Sequence, residues 1–413
     1  MLLPLRDVCS MIRRRATVSA PSLGRDSYLR SIKLAWSKVN PGGATKPTIR
    51  QLKLFMPIAK LDLAGSTRIT INGNNGWLLG ANLPWINCGN DFGENAYGSY
   101  GIGSPNPPKQ SAPLSSDELR TAFYAMQASG VNVARWFLFV DGRAGITYDA
   151  AAGSPTGLDE VIFRDIDAAI ATAAAHGIKI MFVLISFDWM FEEAQDQVSG
   201  GKSYILQSPT LQDELVRNVF VPLFQRYANN DSVIAYDVAN EPEWALTMDG
   251  NPPNPLQING RLLDPVSLED FTRFVTQVTT AARQHALAQY VTLGSARAKW
   301  VGYWQNVGLD FYQFHYYPAT EGDRTLDEVL PDLPPDLNRP IWLGEIPANV
   351  TGSVGFMTNA LEVAYTARLA GAAPWSMRGV DEYGAADPAA LKQFCLAHSP
   401  DINSGVPPGN APD

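Results

Sequence analysis

Two glutamates, Glu241 and Glu345, stand 104 residues apart, each at the end of an apolar run (SVIAYDVANE and PIWLGE) and each just ahead of a proline-marked loop. Short apolar runs of this kind read as buried strands. In a parallel sheet or barrel both acids would project from the carboxyl ends of strands into one cleft, where α/β enzymes keep their reactive groups. Two carboxyl groups facing each other across a cleft are what glycosidic bond cleavage needs, because its oxocarbenium-like transition state calls for a proton on the departing oxygen and negative charge at the anomeric carbon. One acid must hold its proton near neutral pH while the other stays ionised. Glu241 lies between Asn240 and Pro242 with Trp244 close by, an apolar neighbour favouring the neutral acid. Glu345 needs cationic or hydrogen-bond-donating neighbours to remain a carboxylate. Arg135 in VNVARWF, and His315 and Tyr317 in FHYYP, sit at other strand ends and can supply them.

Eight strands must position these groups. RITINGNNGWLLGANLPW alternates polar and apolar residues around Asn-Gly turn signals and predicts a hairpin leading into a first strand, WLLGAN. The others are VNVARWFLF, IKIMFVLISF, SVIAYDVAN, YVTLGS, LDFYQFHYY, PIWLGE and GAAPWSM. Helical patterns separate most of them: SSDELRTAFYAMQASG with a Ser115-x-x-Glu118 capping box, GLDEVIFRDIDAAIATAAAHG, PTLQDELVRNVFVPLFQRYAN, SLEDFTRFVTQVTTAARQH, TLDEVL, GFMTNALEVAYTARLAG and DPAALKQFCLAH. This alternation predicts an α/β fold, a (β/α)8 TIM barrel over residues 63–399 with the short hairpin at the barrel bottom. Residues 1–62 read as an N-terminal extension, and the Pro/Gly/Asn-rich residues 400–413 as a flexible tail. No Gly-rich GxGxxG or Walker loop follows an early strand, which argues against a doubly wound nucleotide-binding sheet.

The order of these motifs resembles the clan A retaining glycoside hydrolases, most closely family 5. In that family strand 4 ends in Asn-Glu-Pro, strand 6 in His-x-Tyr, strand 7 in Gly-Glu and strand 8 in a tryptophan. This chain has Asn240-Glu241-Pro242, His315-Tyr316-Tyr317, Gly344-Glu345 and Trp375 in the same order, with Arg135 on the second strand, across roughly residues 77–380. The resemblance implies hydrolysis of β-linked glycosides with retention, Glu241 serving as acid/base and Glu345 as nucleophile. It also implies Asn240 on the 2-hydroxyl of the sugar under attack, Arg135 and Tyr317 holding Glu345 ionised, His315 supporting Glu241, and Trp375 flooring the subsite where the ring distorts. One departure is LISFDWM at the end of strand 3, where many members carry a histidine; Ser186, Asp188 or Trp189 stands there instead. That segment is closer to the Asn-Trp pattern of mannan-cleaving members, which leans the substrate toward β-mannoside or β-glucan types rather than a cellulase assignment. The alternatives are a non-catalytic carbohydrate-binding barrel and a transglycosylase using the same site.

Other residues on the upper face are more evenly divided between roles. Trp85 and Asp91 in NLPWINCGNDFG either line the sugar pocket or anchor the loop after strand 1. Asp141 and Arg143 in FLFVDGRAGI either meet sugar hydroxyls or form a solvated Asp-Gly turn. Trp189, Trp244, Trp300 and Trp304 fall in upper-face loops, and one or two of them are expected to be platforms for the apolar faces of sugar rings. Asp237 is expected in the barrel wall, and Glu243 pointing away from the cleft. The net charge of −9 argues against a nucleic-acid groove and fits an oligosaccharide or polysaccharide. Three cysteines without a CxxC pair and only four histidines provide no metal cluster or disulfide framework, so no cofactor is expected. No run of about 18 apolar residues predicts a membrane span, and Arg6 and Asp7 interrupt the apolar start, so the expected location is cytoplasmic.

Overall fold

The computed structural model describes residues 60, 62–71, 74–84, 91–93, 117–192, 201–248, 257–258, 261–379 and 381–402, all within one compact unit, Pro57–Asp413. Eight strands close a barrel: β1 Leu78–Asn82, β2 Val133–Phe139, β3 Lys179–Ser186, β4 Val233–Asn240, β5 Tyr290–Ser295, β6 Tyr312–His315, β7 Ile341–Pro347 and β8 Gly371–Trp375. Every neighbouring pair is parallel, and β8 returns to β1 to complete the ring. The fold is therefore the (β/α)8 barrel that the alternation predicts. Strands buried on both faces need apolar side chains throughout, and KIMFVLIS in β3 is buried from Ile180 to Ser186.

Helices α1 Asp117–Ala128, α2 Ile162–Ala175, α3 Pro209–Leu215, α4 Val221–Tyr227, α5 Leu268–His285, α6 Leu326–Val329, α7 Phe356–Thr366 and α8 Pro388–Ala397 wrap the outside. A π-turn, Val216–Phe220, joins α3 to α4. After β5 the chain makes a 3₁₀ helix, Ala298–Trp304, in place of an α-helix. Starts are set by side-chain caps, which satisfy otherwise orphaned backbone donors: Ser208 accepts from Leu211 N–H (3.4 Å), Ser267 from Asp270 N–H (3.0 Å) and Asp387 from Ala389 N–H (2.9 Å). Thr325 and Glu328 form a reciprocal capping box on α6.

Inward residues of the lower barrel, Leu78, Val133, Met181, Ala235, Tyr290 and Trp342, form one cluster with Ile69 and Ile71 of the hairpin. The hairpin thus plugs the barrel bottom as expected, and Tyr290 Oη donates to Thr70 O at 2.8 Å. Glycine makes room for the largest of these side chains: a Cβ on Gly371 would lie 2.2 Å from Leu78 O and 2.5 Å from Trp342 Nε1. Toward the carboxyl ends the strand register slips, between Thr292 and Gly294 in β5, Phe314 and His315 in β6, and Leu343 and Ile346 in β7. Such bulges re-aim side chains and recur beside active sites.

Two boundaries differ from the sequence reading. The helix expected from Gly157 begins only at Ile162, because Pro155–Leu158 pairs antiparallel with Ile146–Tyr148 and the Asp159 carboxylate accepts from Val161 and Ile162 N–H (3.0 and 2.8 Å). The expected tail begins with a short helix, Ser399–Ile402, held by Asp401 through Tyr365 Oη (2.7 Å) and Arg68 Nη2 (3.3 Å); residues 403–413 lie outside the described residues. Most of the N-terminal extension and Ser115 also lie outside them, but Lys60 pairs with Asp310. Cys395 is buried, and among the described residues no helix is long and apolar enough to cross a membrane.

Candidate active site

Along β2, alternation carries Val133, Arg135 and Phe137 inward, which puts a fully buried guanidinium inside the barrel beneath the strand ends. Arg135 Nε donates to Asp237 Oδ2 (2.9 Å), Nη1 to Asn82 Oδ1 (3.0 Å) and Glu345 Oε1 (2.6 Å), and Nη2 to Asn240 Oδ1 (2.9 Å). Burying an ion costs several kcal/mol unless a partner of opposite charge and further hydrogen bonds offset it, and here residues of three other strands, β1, β4 and β7, do so. Asp237 is fixed from the other side by Gly294 N–H (2.9 Å) and Gln313 Nε2 (2.7 Å), so it sits in the barrel wall as expected.

Glu345 Oε2 accepts from the Tyr317 hydroxyl at 2.8 Å. Burial raises the Tyr317 pKa well above its usual 10, so the phenol remains a donor. Burial also pushes Glu345 toward its protonated form, against which the Arg135 charge and the Tyr317 donor act. Glu241 stands just past β4 with φ +49°, a left-handed conformation that costs a non-glycine residue about 1–3 kcal/mol. Its N–H donates to Gly294 O at 2.7 Å, and Pro242 then opens a 3₁₀ helix, Pro242–Ala245. The carboxyl that results faces two nitrogens: Oε1 lies 2.7 Å from His315 Nδ1, and Oε2 accepts from Trp244 Nε1 at 3.0 Å. Burial raises the Glu241 pKa to about 7, against the Trp244 bond and the Arg135 charge. Burial lowers His315 to about 4, leaving the ring neutral.

Oxygens of Glu241 and Glu345 and a ring nitrogen of His315 all lie within 4.8 Å of one another. The donor types would suit a cation, but the guanidinium bonded to Glu345 already supplies the positive charge that a cation would bring. So close an approach is on the side of the short gap of a retaining pair, about 5–5.5 Å, and away from the about 6.5–9.5 Å of an inverting one. The side chain of Glu241 keeps 14% of its surface exposed against 5% for Glu345, so the more open acid is the one suited to exchanging protons with solvent.

The other expected residues divide. Asn240 accepts from Arg135 through its side-chain carbonyl oxygen. Trp375 clusters with Phe137, Val140 and Val183, with Tyr317 and Tyr383 packed on the same group, and its Nε1 donates to Asp381 Oδ2 at 2.6 Å. Trp244 and Trp300 are half-buried and meet edge to face at 5.1 Å, an aromatic pair beside Glu241. Trp189 is no platform: it is fully buried and its Nε1 donates to Phe139 O at 2.6 Å. Trp304 is buried as well, against Phe271. Asp91 accepts from Trp136 Nε1 at 2.7 Å and is buried, which makes it a loop anchor rather than a pocket wall. Asp141 folds onto Arg143, accepting from its Nε at 2.7 Å, a turn that is buried instead of solvated. Asp188 takes the Ser186 hydroxyl at 2.6 Å, and burial with Asp141 nearby raises its pKa to about 6. Glu243 points away from the cleft, into a buried set of donors. Trp85 lies outside the described residues. Asn82, Gln313 and Tyr383 were missed; a guanidinium carries five donors, more than Glu345, the one acid assigned to it, can fill, and that surplus is the signal for an amide such as Asn82 on a neighbouring strand.

No family model matches the chain. A mannan endo-1,4-beta-mannosidase of Mytilus edulis is 23% identical over 352 residues, 78% of this chain and 89% of that protein. Among solved structures, the beta-mannanase from Mytilus edulis superposes with a TM-score of 0.63 at 21% identity, covering 83% of this chain and 98% of that one. The endo-1,4-beta-mannanase from Eisenia fetida gives 0.64 at 20% identity, with 85% and 99% covered. The structural likenesses establish the barrel. The ordered strand-end motifs and the curated relative make the chain similar to the clan A retaining glycoside hydrolases, most like family 5.

Proposed function

We propose that the chain hydrolyses β-mannan by a two-step displacement with net retention, and one observation carries this: two carboxyl groups within 4.8 Å of each other in unlike surroundings. Glu345, held by a guanidinium and a phenol, attacks the anomeric carbon while Glu241 gives its proton to the departing oxygen. The bond to the leaving sugar breaks and a glycosyl ester on Glu345 forms. Glu241, now a carboxylate, takes a proton from water, whose oxygen displaces Glu345 and regenerates the starting state. In this reading, following the resemblance, the amide of Asn240 meets the 2-hydroxyl and Trp375 floors the subsite where the ring distorts. The mannan assignment and cleavage within the chain rest on the relatives, which carry those activities in their names.

Turnover of mannan, cellulose and xylan by the wild type, compared with aryl β-mannosides, tests the reading. Glu345→Ala should abolish hydrolysis of every substrate. Glu241→Ala should lower kcat/KM on mannan by about 10²–10⁴-fold and spare aryl glycosides with good leaving groups, which need little protonation. Equal loss on both substrate types would refute the roles. Mannan binding without turnover by the wild type would favour the non-catalytic barrel, and longer products at high substrate concentration would favour transglycosylation.

A further inference from the structure

Glu243 lies two residues beyond Glu241, is 1% exposed, and plays no part in the displacement. Its carboxylate receives three donors from other elements: Ser295 Oγ (2.7 Å) and Trp304 Nε1 (2.6 Å) on Oε1, and Ala296 N–H (3.0 Å) on Oε2. These donors belong to the end of β5, the residue after it, and the last residue of the 3₁₀ helix Ala298–Trp304. Both elements reach Glu241, β5 directly and the 3₁₀ helix through Trp244. Gly294, one residue before Ser295, accepts the Glu241 N–H at 2.7 Å. Trp300, in the same 3₁₀ helix as Trp304, packs at 5.1 Å on Trp244, whose Nε1 is bonded to Glu241 Oε2. A left-handed φ at a non-glycine residue persists only where the surroundings over-determine it, and here the chain from Glu241 to Glu243 is pinned at both ends against β5.

We propose that Glu243 is a positioning residue for the acid/base. By clamping β5 and the following 3₁₀ helix onto the segment after β4, it fixes the left-handed turn at Glu241 and the edge-to-face Trp300–Trp244 pair that orients the Glu241 carboxyl. The proposal rests on the reading of Glu241 as the proton donor.

The test separates proton donation from the rest of catalysis. Glu243→Gln keeps the side chain's volume but places an amide N–H2 where only donors converge. Compared with wild type, kcat/KM on mannotetraose should fall by about 10–100-fold, part of the factor that a well-placed general acid supplies. With a dinitrophenyl β-mannobioside, whose leaving group needs no proton, kcat/KM should change by less than about threefold, because that ratio reports only the first displacement. Trp304→Phe and Ser295→Ala each delete one donor and should show the same split at smaller size, which provides the test if Glu243→Gln does not fold. An equal loss on both substrates, or none on either, would overturn the proposal. A wild type inert on both substrates would instead refute the hydrolase reading.

Discussion

Replacing Arg135 with Lys asks how the nucleophile keeps its charge. The guanidinium reaches Asp237, Glu345, Asn82 and Asn240 at once. An ammonium is a single point on a flexible stem and cannot reproduce that fork. Asp237 retains two other donors, Gly294 N–H and Gln313 Nε2, whereas Glu345 is left to lean on the Tyr317 hydroxyl. Loss therefore falls on Glu345. A pair of unit charges at 4 Å is worth about 4 kcal/mol at an effective dielectric of about 20, and an opposite charge in contact moves a carboxyl by about 1–3 units. With a positive charge still inside the barrel, a rise of about one unit is the expected outcome. The sign follows from which form is favoured: Arg135 stabilises the anion, so weakening it raises the Glu345 pKa, and the acid limb of kcat/KM moves to higher pH. The assay is kcat/KM across the acid and neutral range on an aryl β-mannoside with a good leaving group, which keeps the protonation of Glu241 out of the profile. Thermal unfolding should fall too, since breaking a buried pair outright costs about 3–5 kcal/mol. A limb that stays in place while the midpoint of unfolding drops would show that Arg135 supports only the fold, and would refute this account of the nucleophile.

Glu241, raised to about 7 by burial, should set the basic limb, so kcat/KM on mannan should fall as pH rises through about 7. Trp244→Phe removes a donor to the Glu241 anion; the pKa should rise and that limb move upward by less than about one unit, and a downward shift in the pH profile would contradict it. The His315 ring, lowered to about 4, should show no nitrogen chemical-shift titration through the neutral range. Gly371→Ala would drive a methyl to 2.2 Å from a backbone oxygen of β1 and should lower stability by about 1–3 kcal/mol or more, read as a lower denaturation midpoint.

Much of this architecture is legible in the sequence because strands buried on both faces read as unbroken apolar runs. A charged residue closing such a run can only lie where the strand leaves the core, which is why Glu241 and Glu345 stand out. Exposure of the tryptophans is not legible in that way. Trp189 and Trp300 both follow strand ends in short 3₁₀ helices, yet Trp189 is sealed against Phe139 while Trp300 stays half-open on Trp244. That difference is set by tertiary packing, which leaves no local pattern. Asp91 likewise looks like a rim acid until Trp136, 45 positions later, is found donating to it. The start of α2 was obscured because Asp159 caps a helix inside a stretch whose composition is helical throughout.

The slip in β7 decides which side of the barrel wall receives the second acid. Leu343 and Ile346 both join the layer beneath the helices, so two consecutive residues between them, Gly344 and Glu345, are left to the lumen. An unbroken odd-even sequence would group Glu345 with Leu343, among greasy neighbours and out of reach of Arg135. The chemistry thus depends on a change of parity one residue wide: a ladder that ran through Gly344 and Glu345 without that slip would leave every reactive group encoded but turn one of the two acids to face the wrong way.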